Sequence, residues 1–193
     1  MRRSILMITF CCFALGFVSA HLSRDAGATT TVRPRPELTD SVEATKSLCE
    51  RNEQVVFSCT MQKSAKVLSI CTSKQLDELN GYVQYRFGQP GKIELEFPAE
   101  RKESQTLFGY SRYTRPLVTY LALRFESNGY KYSIHQDSNA EEKPPANAAY
   151  VNVTSPEPDG KPTEMTCRQP VIGSLMLLED VVPRSEGTDV LSP

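Results

Sequence analysis

Tryptophan is absent from the 193-residue chain, and histidine occurs only twice. An excess of either charge is absent as well, because 22 basic and 23 acidic residues leave a formal net charge of −1. A chain this close to neutrality has little electrostatic attraction for nucleic acid or for an anionic membrane surface. We therefore expect no nucleic-acid partner.

Catalytic motifs are absent too. The sequence has no G-x-S-x-G nucleophile elbow, no glycine-rich phosphate loop and no H-E-x-x-H zinc motif. Glu94 and Glu96 stand two residues apart, a spacing that on a strand places both on one solvated face rather than in a catalytic pair. We expect a protein that is not an enzyme and that uses no cofactor.

The chain has a single long hydrophobic run, at its N-terminus. Residues 5–18 are apolar, Arg2 and Arg3 precede them, and residues 18–20 fit a signal-peptidase site. The run is shorter than the roughly 20 residues of a membrane-spanning helix. The sequence therefore predicts a signal peptide over residues 1–20 and an exported protein, periplasmic or secreted, without a transmembrane segment.

Composition divides the rest of the chain into three parts. Residues 21–47 are polar and rich in threonine and proline, which is typical of a flexible arm. Residues 48–182 carry the strand-like patterns and form one predicted β domain. Residues 183–193 are polar again, and we expect a flexible tail there.

Strand patterns dominate the predicted domain. Ile93, Leu95 and Phe97 alternate with acidic residues, which predicts a half-buried strand with these three side chains inward. The pair Asn128-Gly129 between two alternating runs predicts a tight hairpin. In total we expect an all-β fold: about eight antiparallel strands in hairpin-linked order, forming a small sandwich or barrel, with at most one short helix at 172–182.

Four cysteines remain after the predicted signal peptide: Cys49, Cys59, Cys71 and Cys167. None forms a C-x-x-C pair, and in an exported chain they indicate two structural disulfides. A predicted hairpin brings Cys59 near Cys71 and favours a bridge between them, which leaves Cys49 for Cys167. Four cysteines allow three pairings, and the other two stay open.

The two histidines of the mature chain raise a metal hypothesis. His21 would become the N-terminal residue after signal cleavage, and an N-terminal histidine with a second imidazole, here His135, forms the copper brace of some oxidative enzymes and copper carriers. Two imidazoles alone are a weak indication of a metal, and His21 begins a polar arm rather than a strand. We expect no metal and keep the copper protein as an alternative.

The segment 110–115 interleaves aromatic and basic residues and lacks clear strand alternation. Tyrosine and arginine dominate binding hot spots because each combines a large contact with hydrogen bonding. The candidate partner-binding residues are Tyr110, Arg112, Tyr113 and Arg115. The other interpretation is that the segment is a β-structured bridge between the two halves of the domain.

Several blocks carry a family resemblance: the spacing of Cys49, Cys59 and Cys71, the run G-Y-V-Q-Y-R-F-G at 81–88, and the segments 128–133 and 166–167. Over residues 48–182 the chain resembles an uncharacterised family of small exported bacterial proteins. The resemblance implies export and a disulfide-bonded β-fold, and it implies no active site. In architecture alone, the chain is similar to the small β-barrel lysozyme inhibitors of the periplasm.

These observations favour a monomeric, exported, non-enzymatic binding protein. Its partner would be another protein or a component of the cell envelope, and one specific form would be an inhibitor or immunity-type protein of a cell-wall-active enzyme. Two alternatives stay open, namely the copper protein described above and a purely structural envelope protein.

Overall fold

The computed structural model describes residues 47–158 and 160–185. These residues form ten β-strands and two short 3-10 turns, and they contain no α-helix. The strands are β1 (Glu53–Thr60), β2 (Val67–Ser73), β3 (Val83–Gln89), β4 (Lys92–Phe97), β5 (Gly109–Arg115), β6 (Val118–Ser127), β7 (Tyr130–Asn139), β8 (Ala146–Thr154), β9 (Thr163–Thr166) and β10 (Ile172–Gly173). The turns are Ser104–Leu107 and Leu175–Leu178. The all-β prediction is confirmed.

The strands form two antiparallel sheets of five strands each. The first sheet has the order β10-β1-β2-β3-β4 and the second the order β5-β6-β7-β8-β9. Within each sheet, strands that are consecutive in sequence pair with each other, and β10, which follows β9 of the second sheet, pairs with β1 of the first. Such hairpin connections explain why the short alternating runs of the sequence predict the fold class.

The core lies where the inner faces of the two sheets meet. One hydrophobic cluster contains buried side chains of both, including Phe57 and Ile70 from the first sheet and Leu123 and Ile134 from the second. Phe125 of β6 stacks on Phe97 of β4 with ring centroids 4.4 Å apart, so an aromatic contact joins the sheets. Such contacts each contribute roughly 0.5–1.5 kcal/mol beyond the area they bury.

The predicted Asn128-Gly129 hairpin joins β6 to β7. Both residues have positive φ angles, 51° and 78°, as a tight two-residue turn requires. The turn sets a register in which Ser127 lies opposite Tyr130 and pairing continues without a break to Val118 and Asn139. This long, regular hairpin forms the centre of the second sheet.

The inward prediction for Ile93 is wrong. Leu95 and Phe97 pack against the core as expected, but Ile93 is 44% exposed. The register between β3 and β4 shifts between Phe87 and Gly88, so that one extra residue of β4 interrupts the ladder. Such a bulge breaks the alternation of side chains, and the residue before it leaves the core face.

The favoured disulfide pairing is also wrong. The bridges join Cys49 to Cys71 and Cys59 to Cys167, with Cα atoms 5.4 Å and 5.6 Å apart. In the β1–β2 hairpin Cys59 lies opposite Leu68, three residues before Cys71. Leu68 faces the core, and an odd separation places Cys71 on the opposite face of the sheet. Cys59 and Cys71 therefore cannot meet.

The disulfide on the outer face of the first sheet holds a short segment, residues 47–50, which we call the cover segment. Its Leu48 backbone N–H donates to Ser69 Oγ at 3.0 Å, and its Leu48 carbonyl accepts from Arg86 at 2.9 Å. Arg86 is 1% exposed, although it points away from the hydrophobic core. The cover segment therefore closes this face of the sheet over a charged side chain.

Candidate binding site on the second sheet

The outer face of the second sheet carries a cavity of about 730 Å³. This volume lies within the range of small-molecule binding sites, roughly 300–1,000 Å³. Cα pairing aligns one residue from each strand across this face. From β5 to β9 these residues are Gly109, Arg124, Ser133, Asn152 and Glu164, and all five line the cavity. We call the last four the polar row.

A second line of paired residues runs beside the polar row. It places His135 of β7 next to Tyr150 of β8, and their rings stack with centroids 4.6 Å apart and planes 7° apart. On the other side of His135 lies Ala122, whose small side chain is completely buried. The imidazole is therefore held in place from the side by an aromatic ring, and it is only 5% exposed.

His135 and Ser133 contact each other within the cavity. They stand two residues apart on β7, so both side chains lie on the same face, and Ser133 Oγ is 2.8 Å from His135 Nε2. From the sequence alone, His135 is a candidate only as a copper ligand. The contact with a hydroxyl two residues away is a local feature that the spacing S-x-H within a strand already permits.

Tyr150 links the cavity to a carboxyl group beside it on the same face of the sheet. Its hydroxyl donates to Asp137 Oδ2 at 3.3 Å. Burial raises the pKa of Tyr150 to about 12, with the Asp137 charge acting in the same direction. Burial also raises the pKa of Asp137, and the Tyr150 hydrogen bond only partly opposes this. Tyr150 therefore remains a neutral hydrogen-bond donor throughout the physiological range.

Arg124 occupies the end of the polar row nearest β5. Its Nη1 donates to Ser111 Oγ at 2.6 Å and reaches Ser185 Oγ at 3.4 Å. Ser185 lies against Gly109, where an added Cβ would come within 2.7 Å of the serine side chain. Glycine at position 109 therefore permits the chain at 185 to approach the sheet and to fix one side of Arg124.

Formal charges within the cavity cancel. Its lining includes two basic and two acidic residues, namely Arg124, Lys131, Glu126 and Glu164. Glu126 and Lys131 face each other across the β6–β7 ladder, yet neither forms an ion pair with any residue that the structure describes. Their charged groups are exposed and accessible to a ligand.

Asn152 is the central amide of the polar row. The side chain is half-buried, and among the described residues it has no hydrogen-bond partner. Glu164, its neighbour on β9, is exposed and has only a long contact of 3.5 Å to Thr166 Oγ1. The middle and the β9 end of the polar row thus keep donors and acceptors available for hydrogen bonding.

The segment 110–115 is β-structured, although its sequence lacks clear strand alternation. It is edge strand β5, and alternation therefore divides its side chains between two faces. Tyr110 is fully buried in the core, and Arg112 forms an ion pair with Glu179. Tyr113 stacks on Tyr120 with centroids 6.0 Å apart, and Arg115 pairs with Glu141. The structure does not bring these four residues together on one surface.

The metal hypothesis depends in part on residues outside the description. His21 lies outside the described residues, so the copper brace stays a hypothesis. Within them, one group of possible ligand atoms lies close together, within 4.8 Å: those of Cys49, Glu53 and Cys71. The two sulfur atoms form a disulfide and are not free to bind a metal.

Comparison with known proteins gives no relative. No family model, no curated protein and no solved structure matches this chain. In the described part of the chain, no helix has the length and hydropathy needed to cross a membrane. The chemistry of the cavity is therefore the basis for any functional conclusion.

Proposed function

We propose that this chain is an exported binding protein whose ligand occupies the cavity on the outer face of the second sheet. The observation that carries this proposal is the cavity of about 730 Å³, lined by polar side chains from four of the five strands of the sheet, β6 to β9. A regular sheet holds these side chains at fixed spacings, so the site is largely formed before the ligand arrives.

Export is part of the proposal. Two disulfides within the described residues suit an oxidising compartment, and the pattern at residues 1–20 suits a signal peptide. We propose that the protein acts in the periplasm or outside the cell. This location agrees with the small exported bacterial proteins that its sequence resembles. An inhibitor or immunity-type role towards a cell-wall-active enzyme is one specific form of this function.

The proposal is tested by blocking the cavity. Asn152→Tyr places a large side chain in the polar row, whereas Asn147→Tyr makes the same change at an exposed position of β8 outside the cavity. Each protein is incubated with periplasmic extract and purified again, and the bound molecules are identified by mass spectrometry. We expect a molecule that the wild type and Asn147→Tyr retain and that Asn152→Tyr loses. Equal retention by both variants, or none by the wild type, contradicts the proposal.

A second candidate function is acyl transfer, favoured by the 2.8 Å contact between Ser133 Oγ and His135 Nε2. Such a contact is the first requirement for a serine nucleophile. Binding is the better-supported function, because β7 is a central strand and its backbone N–H groups are used in the sheet, leaving none to stabilise an oxyanion. A fluorophosphonate that modifies Ser133 in the wild type but not in His135→Ala would establish the catalytic function instead.

A further inference from the structure

We propose that the ligand of this cavity is an uncharged saccharide, bound as a short oligosaccharide along the polar row. This inference rests on the binding function proposed above and names the class of ligand. Three properties of the cavity lead to it: the balance of its charges, the kind of hydrogen-bonding groups that it offers, and the aromatic ring beside them.

Charge balance disfavours strongly charged ligands. Arg124 and Lys131 would attract an anion, but Glu126 and Glu164 line the same cavity and would repel it. A cation would be attracted by the two glutamates and repelled by Arg124 and Lys131. A ligand of either charge therefore gains little net electrostatic energy, whereas a neutral polar ligand can hydrogen-bond to basic and acidic side chains alike.

The polar row offers donors and acceptors side by side. Arg124 supplies only donors, Glu164 supplies only acceptors, and Asn152 between them supplies both. Vicinal hydroxyl groups of a sugar are donors and acceptors at adjacent positions, so they match planar groups of this kind. The row from β6 to β9 spans roughly 14 Å at the usual strand spacing, which suits an extended chain of sugar rings better than a single ring.

Tyr150 completes the site. Its ring lines the cavity next to the polar row and is fixed by its stack on His135, 4.6 Å away. An aromatic ring held in this way gives a rigid apolar surface, against which the C–H groups of a pyranose can pack while its hydroxyls bond to the row. The cavity thus presents apolar and polar surfaces together, as an amphipathic sugar ring requires.

The test measures binding of neutral trisaccharides to the exported chain. The probes are triacetylchitotriose, maltotriose and cellotriose, each followed by NMR titration up to about 10 mM, with triglycine and citrate as peptide and anion comparators. We expect at least one trisaccharide to shift the signals of cavity residues. Asn152→Ala should weaken its binding about tenfold, because the amide's hydrogen bonds to the sugar are lost. Asn147→Ala should leave the affinity unchanged.

Other outcomes separate this inference from the binding function. If no trisaccharide binds, or if binding is equal in wild type and Asn152→Ala, the saccharide assignment is overturned. If triglycine or citrate instead shifts the cavity residues, and Asn152→Ala abolishes that shift, the cavity is a binding site for another class of ligand. The binding proposal itself is decided separately by the extract experiment, and it fails if that experiment yields no molecule that depends on Asn152.

Discussion

Polar residues on the outer faces of the two sheets are arranged in opposite ways, covered and paired on the first sheet and open on the second. On the first sheet the cover segment lies over Arg86 and Glu53, which form hydrogen bonds of 2.6 Å and 2.8 Å with each other. On the second sheet the polar row remains open, and Asn152 has no partner among the described side chains. The comparison indicates that polarity is structural on the first face and available for binding on the second.

Pairing on the first face is extensive because the charges are buried. Besides Glu53, the Arg86 guanidinium bonds to Gln84 Oε1, to the Leu48 carbonyl and to Glu96. Burial opposes ionisation of Glu53, but hydrogen bonds from Arg86, the Glu50 amide and Tyr82 outweigh it and hold the pKa of this carboxyl below its ordinary value. Buried ions need this degree of compensation, since each loses its water.

The buried carboxyl on the second face, that of Asp137, behaves differently. Asp137 accepts one hydrogen bond, from Tyr150, and its Oδ1 is buried without a partner in the described structure. Burial therefore raises its pKa, whereas the pKa of Glu53 is lowered. The pKa of a carboxyl group is thus lowered on the first face, where its oxygens are paired, and raised on the second, where one buried oxygen has no partner among the described residues.

The largest expected effect comes from the disulfides, one of which lies in the core and the other on the outer face of the first sheet. Cys59–Cys167 closes a loop with a sequence separation of 108, and Cys49–Cys71 closes one of 22. The chain-entropy relation gives a loss of about 4.8 kcal/mol for the first bridge and about 3.4 kcal/mol for the second when both cysteines become alanine. Urea denaturation measures both losses. A greater loss from Cys49→Ala/Cys71→Ala would show that the cover segment stabilises the fold beyond loop closure.

The second-largest expected loss of stability comes from breaking the buried ion pair between Arg86 and Glu53 on the first face. Arg86→Ala leaves the Glu53 carboxylate buried beside the cover segment without its cation, which should cost about 3–5 kcal/mol in the free energy of unfolding. The matched control is Arg115→Ala, which removes an ion pair with Glu141 whose side chains are 41% and 45% exposed. Chemical denaturation should detect little change there. Comparable losses in both variants would contradict a structural role for the buried pair.

Much of the fold can be predicted from the sequence, because antiparallel hairpins are local. Alternation and the Asn128-Gly129 turn depend on adjacent residues, and they identify most of the strands, although not β5. The disulfide pairing is harder to predict from the sequence, because the face on which Cys71 lies depends on the register of the whole β1–β2 hairpin. A bulge such as the one beside Ile93 likewise has no signal in the alternating pattern itself.

The candidate site is harder to predict because its residues are distant in sequence. Arg124, Ser133, Asn152 and Glu164 come from four strands, and only the pairing of those strands aligns them. The pattern at 110–115 predicts a partner-binding segment because its aromatic and basic residues are close together in the sequence. Along a strand, however, side chains an odd number of residues apart lie on opposite faces, as Tyr110 and Tyr113 illustrate.

Acid should weaken the first face through Glu53. Because its pKa is lower in the folded state than in the unfolded chain, the ionised group stabilises the fold at neutral pH. That stabilisation is fully present above the ordinary pKa of 4.5 and is lost as the pH falls through the lower folded-state value. We expect the free energy of unfolding to fall steeply between about pH 5 and pH 3 in the wild type. In Glu53→Gln the fall should be shallower, and an identical acid profile would refute the assignment.

The smallest effect concerns Asp137 and has the opposite sign. Its raised pKa means that the folded chain binds the proton more tightly than the unfolded chain does, so the ionised form opposes folding at neutral pH. Asp137→Asn removes the charge and retains an oxygen that accepts from Tyr150, and it should raise the melting temperature at pH 7 by about 2 °C. The gain should shrink as the pH falls, because the wild-type carboxyl then becomes neutral. Thermal unfolding at pH 7 and pH 4 measures both changes. A lower melting temperature for Asp137→Asn at pH 7 would mean that the second face, like the first, depends on its charge for stability.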